Sequence, residues 1–361
     1  MKIALVRRQF SPTGGAELYL GRLMQELARR GHEVHLFAEG WEPLEGCEFH
    51  PIARCASRGQ RSIHFAREVA RLLDGSRFDC VFSLERTVRQ DVYRAGDGVH
   101  YNWLRQQKRF APFWRKPFAG VSPFHRRMLR LERETISPQN TRRIIVNSEM
   151  VRNEIVERFN YPVERMHLIR NGIEYAKFNA ARAKREEARL RFGITGTEFL
   201  LLFVGSGWER KGLRFVLQAM KRMPKGARLL VVGKGKGHWP RAENVSYVGP
   251  VRDVTAAYAA ADLFTSLSIY DPSANACFEA MAAGLPVITT EFDGANELIE
   301  PGRNGSVISD PAQTDSVLKA VEFWRRKGPP EFTPSNEQIG IERNVTETTS
   351  VLELAGREKS R

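Results

Sequence analysis

Residues Asp271–Thr290 read D-P-S-A-N-A-C-F-E-A-M-A-A-G-L-P-V-I-T-T. Two carboxylates, Asp271 and Glu279, stand eight positions apart, joined by small residues. The pattern predicts a helix entered near Ala274, running to Ala283, stopped by Gly284 and turned through Pro286 into a β-branched strand, Val287–Thr290. A helix start offers unpaired N–H groups and roughly +0.5 of an elementary charge, which suits a phosphate or a polar sugar. Carboxylates on either side can accept hydrogen bonds from sugar or ribose hydroxyls. The plainer reading is an ordinary strand–loop–helix–strand unit with solvated carboxylates.

Working outward, the same alternation of strand and helix fills the chain. Upstream of this unit, strands are predicted at Phe199–Val204, Ala227–Val232, Val245–Val248 and Leu263–Ser266, with helices at Lys211–Lys221 and Asp253–Ala260. An earlier series has strands at Ile3–Arg7, His32–Phe37, Cys80–Leu84, Arg143–Asn147 and Met166–Arg170, with helices at Ala16–Arg30, Arg61–Leu73, Phe124–Thr135 and Glu149–Arg158. Strands alternating with helices build parallel sheets from βαβ units. A charged stretch near 172–195 separates the two series. The expected division is therefore two similar domains, 1–172 and 173–335, and a terminal helix, 336–361, packing back on the first.

The chain has 361 residues, 42% hydrophobic and 27% charged, enough for two cores. No apolar run approaches the roughly 18 residues of a membrane span. The opening M-K-I-A-L-V-R-R reads as a strand, since Arg7 and Arg8 break the apolar run and no small-residue cleavage site follows. Four cysteines and eight histidines are scattered without metal spacing, and no D-x-D triplet occurs, so reduced thiols and no metal are expected. A net charge of +14 calls for an acidic partner.

Other loops carry chemistry. Gly205-Ser206-Gly207-Trp208-Glu209-Arg210-Lys211-Gly212 follows the first strand of the second series. An arginine fork and a lysine point charge together suit a diphosphate, and cations already in place favour the charge that develops on a leaving phosphate. Gly14-Gly15-Ala16-Glu17 opens the first helix and lets backbone approach a ligand. Asp97, flanked by glycines, could orient or deprotonate an acceptor hydroxyl, with His100 in reserve. From Gly98 to Leu131 there is no acidic residue, while Arg105, Lys108, Arg109, Arg115, Lys116, Arg126, Arg127 and Arg130 alternate with aromatics that include Trp103 and Trp114. Such a mixture fits an anionic membrane surface, or nucleic acid gripped by charge and stacking.

These motifs resemble those of the family 4 retaining glycosyltransferases. The Asp271–Glu279 pair is similar to the family's E-x7-E signature, followed here by E-A-M-A-A-G-L-P-V; the first position holds Asp where the family has Glu. Arg210-Lys211-Gly212 matches its G-x-x-x-x-R-K-G segment, Pro12–Glu17 its P-x-G-G-A-E loop, and Asn171–Glu174 its N-G-I-D hinge. Val232–Gly235 is similar to the loop approaching the nucleobase, and Asp293-Gly294 is expected to close over the donor. The stretch Asp91–Tyr101, D-V-Y-R-A-G-D-G-V-H-Y, resembles the subgroup acting on bacterial lipopolysaccharide core. The resemblance covers essentially the whole chain and implies the α/β GT-B fold: two facing Rossmann-like doubly wound domains with a central cleft.

What it implies for function is a metal-independent, retaining hexosyltransferase with no cofactor, using a nucleotide sugar, UDP-glucose, as co-substrate. Arg210, Lys211, Asp97 and Glu279 are the expected catalytic residues, and Gly14, Gly15, Gly205, Asp271, Ala274, Asn275, Ala276 and Glu279 the donor-binding ones. Trp103, Arg105, Lys108, Arg109, Trp114, Arg115 and Lys116 are assigned to acceptor and membrane. The expected acceptor is an inner-core heptose of lipopolysaccharide, reached by a cytoplasmic enzyme held peripherally at the inner membrane. The alternatives are transfer to another lipid-linked glycan or phospholipid, and a GT-B sugar-nucleotide epimerase. Nucleic acid as partner leaves the Arg210/Lys211 and Asp271/Glu279 arrangement without a purpose.

Overall fold

A computed structural model describes residues 1–9, 15–41, 46–57, 59–113, 116, 122–235, 239–240 and 242–359, without the side chains of residues 15–17. The chain divides into two compact units, Met1–Gly172 with Ile341–Arg361, and Ile173–Gly340.

The first unit is a seven-stranded sheet in the order β3-β2-β1-β4-β5-β6-β7, formed by β1 (Lys2–Val6), β2 (Glu33–Ala38), β3 (Cys47–Pro51), β4 (Cys80–Ser83), β5 (Gln90–Arg94), β6 (Thr141–Val146) and β7 (Met166–Leu168). Every pairing is parallel. Helices α1 (Gly15–Arg29), α2 (Arg61–Leu73), α3 (His100–Phe110), α4 (Pro123–Thr135) and α5 (Glu149–Phe159) make the crossovers. Ser122 and Ser148 cap α4 and α5, each hydroxyl accepting an amide N–H three residues on. Ile3, Leu5, Leu20, Leu23, Leu36 and Phe82 form one core.

The second unit repeats the plan with six parallel strands in the order β10-β9-β8-β11-β12-β13: β8 (Phe199–Val204), β9 (Ala227–Val232), β10 (Val245–Gly249), β11 (Leu263–Thr265), β12 (Val287–Thr290) and β13 (Gly305–Ile308). β8 reads F-L-L-L-F-V, the unbroken apolar run of a strand covered on both faces. Its helices are α6 (Tyr175–Asn179), α7 (Arg185–Arg191), α8 (Leu213–Met220), α9 (Thr255–Ala260), α10 (Asn275–Ala282), α11 (Thr314–Lys327) and α12 (Asn336–Ile339). A last helix, α13 (Ile341–Lys359), belongs to the first unit, where Val345, Leu352 and Ala355 join the core and Tyr19 Oη donates to Thr348 Oγ1 at 3.1 Å. The second unit thus runs to Gly340, past the expected boundary at 335, because Ile173 and Gly340 form a bridge and α12 buries Ile339 in that unit.

The charged stretch read as a linker is folded. Phe178, Ala181, Ala188 and Ile194 enter the second core. Arg185 and Arg189 bind Asp262 at 2.5 and 3.2 Å and donate to the carbonyls ending α9. Cations there answer the negative end of a helix dipole.

Both sheets reverse their strand order, at β1/β4 and at β8/β11. In an open parallel sheet, ligands bind outside the carboxyl ends of the strands at such a switch point. The loops after β8 and β11 hold Gly205–Lys211 and Ser266–Asp271.

Candidate active site

In the second unit the chain leaves β8 through Gly205 and turns before α8, so Arg210 and Lys211 precede that helix by a short turn, where the sequence predicted Lys211 as its first residue. Gly212 then takes φ +73° with its α-carbon pressed on the loop after β11: a β-carbon there would stand 1.7 Å from the Leu267 carbonyl oxygen. Only glycine allows this approach. It brings the cations to Asp271, whose Oδ2 takes Arg210 Nη1 and Lys211 Nζ, both at 2.6 Å. Arg210 also donates to the Tyr270 carbonyl at 3.2 Å, and the Ser273 amide to Asp271 Oδ1 at 3.3 Å. Burial alone would raise the Asp271 carboxyl, but Arg210 and Lys211 outweigh it and hold it at about 2. Asp271 therefore pins the two cations in register.

Beneath it lies Asp293, with no exposed surface. Asp293 was expected to close over a donor; instead it is a support inside the fold. Its Oδ1 accepts the amides of Ala274 at 3.1 Å and Ala295 at 3.0 Å, and its Oδ2 the Thr289 hydroxyl at 3.3 Å. Burial, then repulsion from Asp271, pushes its carboxyl up to about 6. Since the Ala274 amide is spent on Asp293, the α10 start facing outward consists of Asn275 and Ala276, both half-buried.

Glu279 stands one turn along α10, half-buried, accepting the Tyr258 hydroxyl at 2.7 Å. Burial raises its carboxyl despite the Tyr258 bond and the nearby Lys211 and Lys177 charges. Tyr258 comes from α9 and is itself fully buried, its hydroxyl also 3.3 Å from the Ala276 carbonyl. Sequence reading missed it, since a tyrosine among alanines in D-V-T-A-A-Y-A-A looks like core filling. The Val232–Gly235 loop packs on the Gly205 loop: the Gly207 amide donates to the Lys234 carbonyl at 3.1 Å, and Trp208 lies against Tyr247 with centroids 5.7 Å apart.

In the first unit Asp97 is an exposed turn residue between β5 and α3. Glu85, unremarked in the sequence, lies in the loop after β4 beside the switch point and binds Arg7 Nη1 at 3.2 Å and the Arg8 amide at 3.3 Å. Burial raises the Glu85 carboxyl against the pull of Arg7, and the Asp97 charge raises it further. His100 packs between α3 and α4, Nε2 3.1 Å from His125 Nδ1, and burial, Arg86 and His125 together lower it to about 4. Its imidazole is neutral at pH 7. Asn171 accepts Arg94 Nη2 at 3.0 Å.

The basic stretch forms α3 and α4. Arg105, Lys108, Arg109 and Lys116 are exposed, Trp103 is half-buried and Phe113 is 79% exposed. Two other aromatics of this stretch are engaged within the fold: Tyr101 lies under Arg158, 3.6 Å from the ring centroid, and Phe124 meets His100 edge-on. Gly15 is the first residue of α1. Gly14, Trp114 and Arg115 lie outside the described residues. No helix among those described is long and apolar enough to cross a membrane.

Two parallel-sheet units, each with a strand order that reverses at a central switch point, are the GT-B plan of glycosyltransferases. The family comparison agrees: residues 13–177 match the model of glycosyltransferase family 4 and residues 198–323 that of glycosyl transferases group 1, and the chain belongs to this family. It is 26% identical to the lipopolysaccharide glucosyltransferase WaaG of Escherichia coli, over 89% of this chain and 88% of that one. It is 24% identical to the glycosyltransferase MJ1607 of Methanocaldococcus jannaschii, over 89% and 88%. The crystal structure of WaaG superposes with a TM-score of 0.77 at 22% identity, covering 99% of this chain and 98% of that one. Anabaena HepE in complex with UDP and glucose superposes at 0.68 and 16%, covering 98% and 99%.

Proposed function

We propose that this glycosyltransferase moves glucose from UDP-glucose, with retention of anomeric configuration, to an inner-core heptose of lipopolysaccharide. The observation that carries the donor half is the Arg210–Asp271–Lys211 arrangement at the β8/β11 switch point, one helix away from Glu279 on Tyr258. Arg210 and Lys211 face the diphosphate, Asn275 and Ala276 offer amides at the α10 start, and Glu279 takes the ribose hydroxyls. As the bond between anomeric carbon and phosphate oxygen breaks, the charge left on UDP is met by cations that Asp271 has already aligned. Asp97 steers the acceptor hydroxyl and its carboxylate takes the proton as the new glycosidic bond forms, passing it on to solvent. No metal enters this scheme.

The acceptor half rests on the exposed cations of α3 and α4 and on the similarity to WaaG, a lipopolysaccharide glucosyltransferase by name. Phosphates on a core oligosaccharide, or anionic lipid at the cytoplasmic face of the inner membrane, would satisfy that surface. Calorimetric titration with UDP, GDP and ADP tests the donor, on wild type and on Glu279→Ala. UDP binding that the substitution abolishes is the expected result, and absence of binding by all three overturns the reading. Transfer from UDP-glucose to purified core heptose, with the product linkage read by NMR, then decides acceptor and stereochemistry.

A further inference from the structure

The edge strand β3 lies parallel to β2 with His35 opposite Glu48 and Phe37 opposite His50. Side chains alternate across a strand, so Glu33, His35 and Phe37 of β2 share one face with Glu48 and His50 of β3. On that face we propose a divalent-cation site, suited to zinc, with His35 Nδ1, Glu48 and His50 Nε2 as protein ligands and water completing the shell.

The spacing is close to what such an ion requires. Tetrahedral zinc with bonds of about 2.0–2.1 Å sets its ligand atoms roughly 3.3 Å apart. Glu48 Oε2 is 3.4 Å from His35 Nδ1, and Glu48 Oε1 is 3.3 Å from His50 Nε2. The two imidazole nitrogens stand 2.8 Å apart and would open by about half an ångström, a small movement for an edge strand.

The tautomer is arranged as well. Glu33 Oε1 lies 2.7 Å from His35 Nε2, so that nitrogen keeps its proton and Nδ1 presents its lone pair to the site. A carboxylate behind a ligating histidine is the usual outer-shell partner in zinc sites. Lys2 holds Glu33 in turn, at 3.1 Å. Two carboxylates against this one lysine leave the patch negative, within a chain of net charge +14. His35 is buried, with Phe78 edge-on at 5.0 Å, and Phe37 stacks on His50 at 4.5 Å, walls that fix both rings. The bound ion would fasten β3, half-exposed along its length, to the body of the sheet.

The test uses the tag-free full-length chain, stripped with chelator and titrated with zinc chloride, followed by calorimetry and by the visible absorption of cobalt as a stand-in. One zinc per chain is expected, with a rise in Tm. His50→Gln should abolish uptake. Glu48→Gln, at an exposed position safe for folding, should weaken it at least tenfold, and Glu33→Gln by roughly 10–100-fold as an outer-shell loss. UDP binding stays unchanged in all three. The proposal is overturned if no stoichiometric zinc binds. It is equally overturned if Glu48→Gln and His50→Gln bind zinc like wild type, and loss of that zinc in Cys47→Ser with Cys55→Ser would place it on the thiols.

Discussion

Asp271 and Asp293 are bridged through their backbones, the Gly294 amide donating to the Asp271 carbonyl at 2.9 Å and the Asp271 amide to the Phe292 carbonyl at 2.7 Å. Their carboxyls are driven in opposite directions, Asp271 to about 2 and Asp293 to about 6. Neighbouring acids pushed apart in this way acquire different tasks. One stays ionised to hold Arg210 and Lys211; the other, beneath α10, takes up a proton as pH falls through about 6.

That split sets a pH signature. Unfolded aspartate titrates near 3.8, so between there and about 6 the folded chain keeps a proton on Asp293 that the unfolded chain has lost. Its stability contribution is complete below the unfolded value and disappears as pH rises through 6. Asp271 behaves inversely, its contribution present above 3.8 and lost as pH falls through about 2. Asn at 293 can still accept both amides without the charge. Asp293→Asn should therefore match wild type near pH 4 and exceed it at pH 7, by on the order of 2–3 kcal/mol. Melting curves of the two proteins from pH 4 to 7 check this; parallel profiles would refute it.

Lys211 is 8% exposed and binds Asp271 Oδ2 at 2.6 Å, and its charge also draws down the carboxyls of Glu279 and Asp293. Lys211→Ala should lower kcat for glucose transfer about 10²–10³-fold, the usual loss of one preorganised charge stabiliser. Steady-state kinetics with UDP-glucose measure it. A fall in affinity alone, with kcat intact, would reassign Lys211 to ground-state binding.

Tyr258→Phe removes only the hydroxyl that aims Glu279. A hydrogen bond to a charged group contributes about 1.5–3 kcal/mol, so UDP affinity should fall roughly 10–100-fold while kcat changes little. Calorimetry with UDP and with UMP reads the effect on the nucleoside half. Unchanged UDP binding would remove Glu279 from ribose recognition.

The exposed cations of α3 make a separable claim. Each lysine or arginine near anionic lipid adds about 1 kcal/mol, so Arg105→Ala, Lys108→Ala and Arg109→Ala combined should weaken vesicle binding about a hundredfold. Sedimentation with phosphatidylglycerol vesicles at two salt concentrations tests it. Equal binding by mutant and wild type would move the membrane contact elsewhere.

Much of this was legible in the chain. Strands such as β1, β8 and β12 are buried on both faces and announce themselves as apolar runs, and the glycine and arginine–lysine loops follow them directly. β5 was not seen as a strand because Q-D-V-Y-R carries polar residues that find partners only in three dimensions: Asp91 meets Arg142 and Lys359, and Arg94 meets Asn171. β3 was hidden for a different reason, its C-E-F-H-P being half-buried or exposed throughout at the sheet edge. Arg185 and Arg189 looked like linker because their acceptors, Asp262 and the carbonyls ending α9, are some 70 residues away in sequence. Asp271 and Glu279 were evident from spacing, whereas Tyr258 and Asp293 act through burial, which a motif does not display.

The return of α13 to the first sheet has a bearing on biosynthesis. The second unit is one uninterrupted stretch, Ile173–Gly340, while the first needs residues from both sides of it. In sequence the second unit is complete at Gly340, where the first still lacks the helix that supplies Val345, Leu352 and Ala355 to its core. A chain cut at Gly340 would keep the second unit whole and leave the first incomplete, with the hydrophobic surface meant for α13 open to chaperones and proteases.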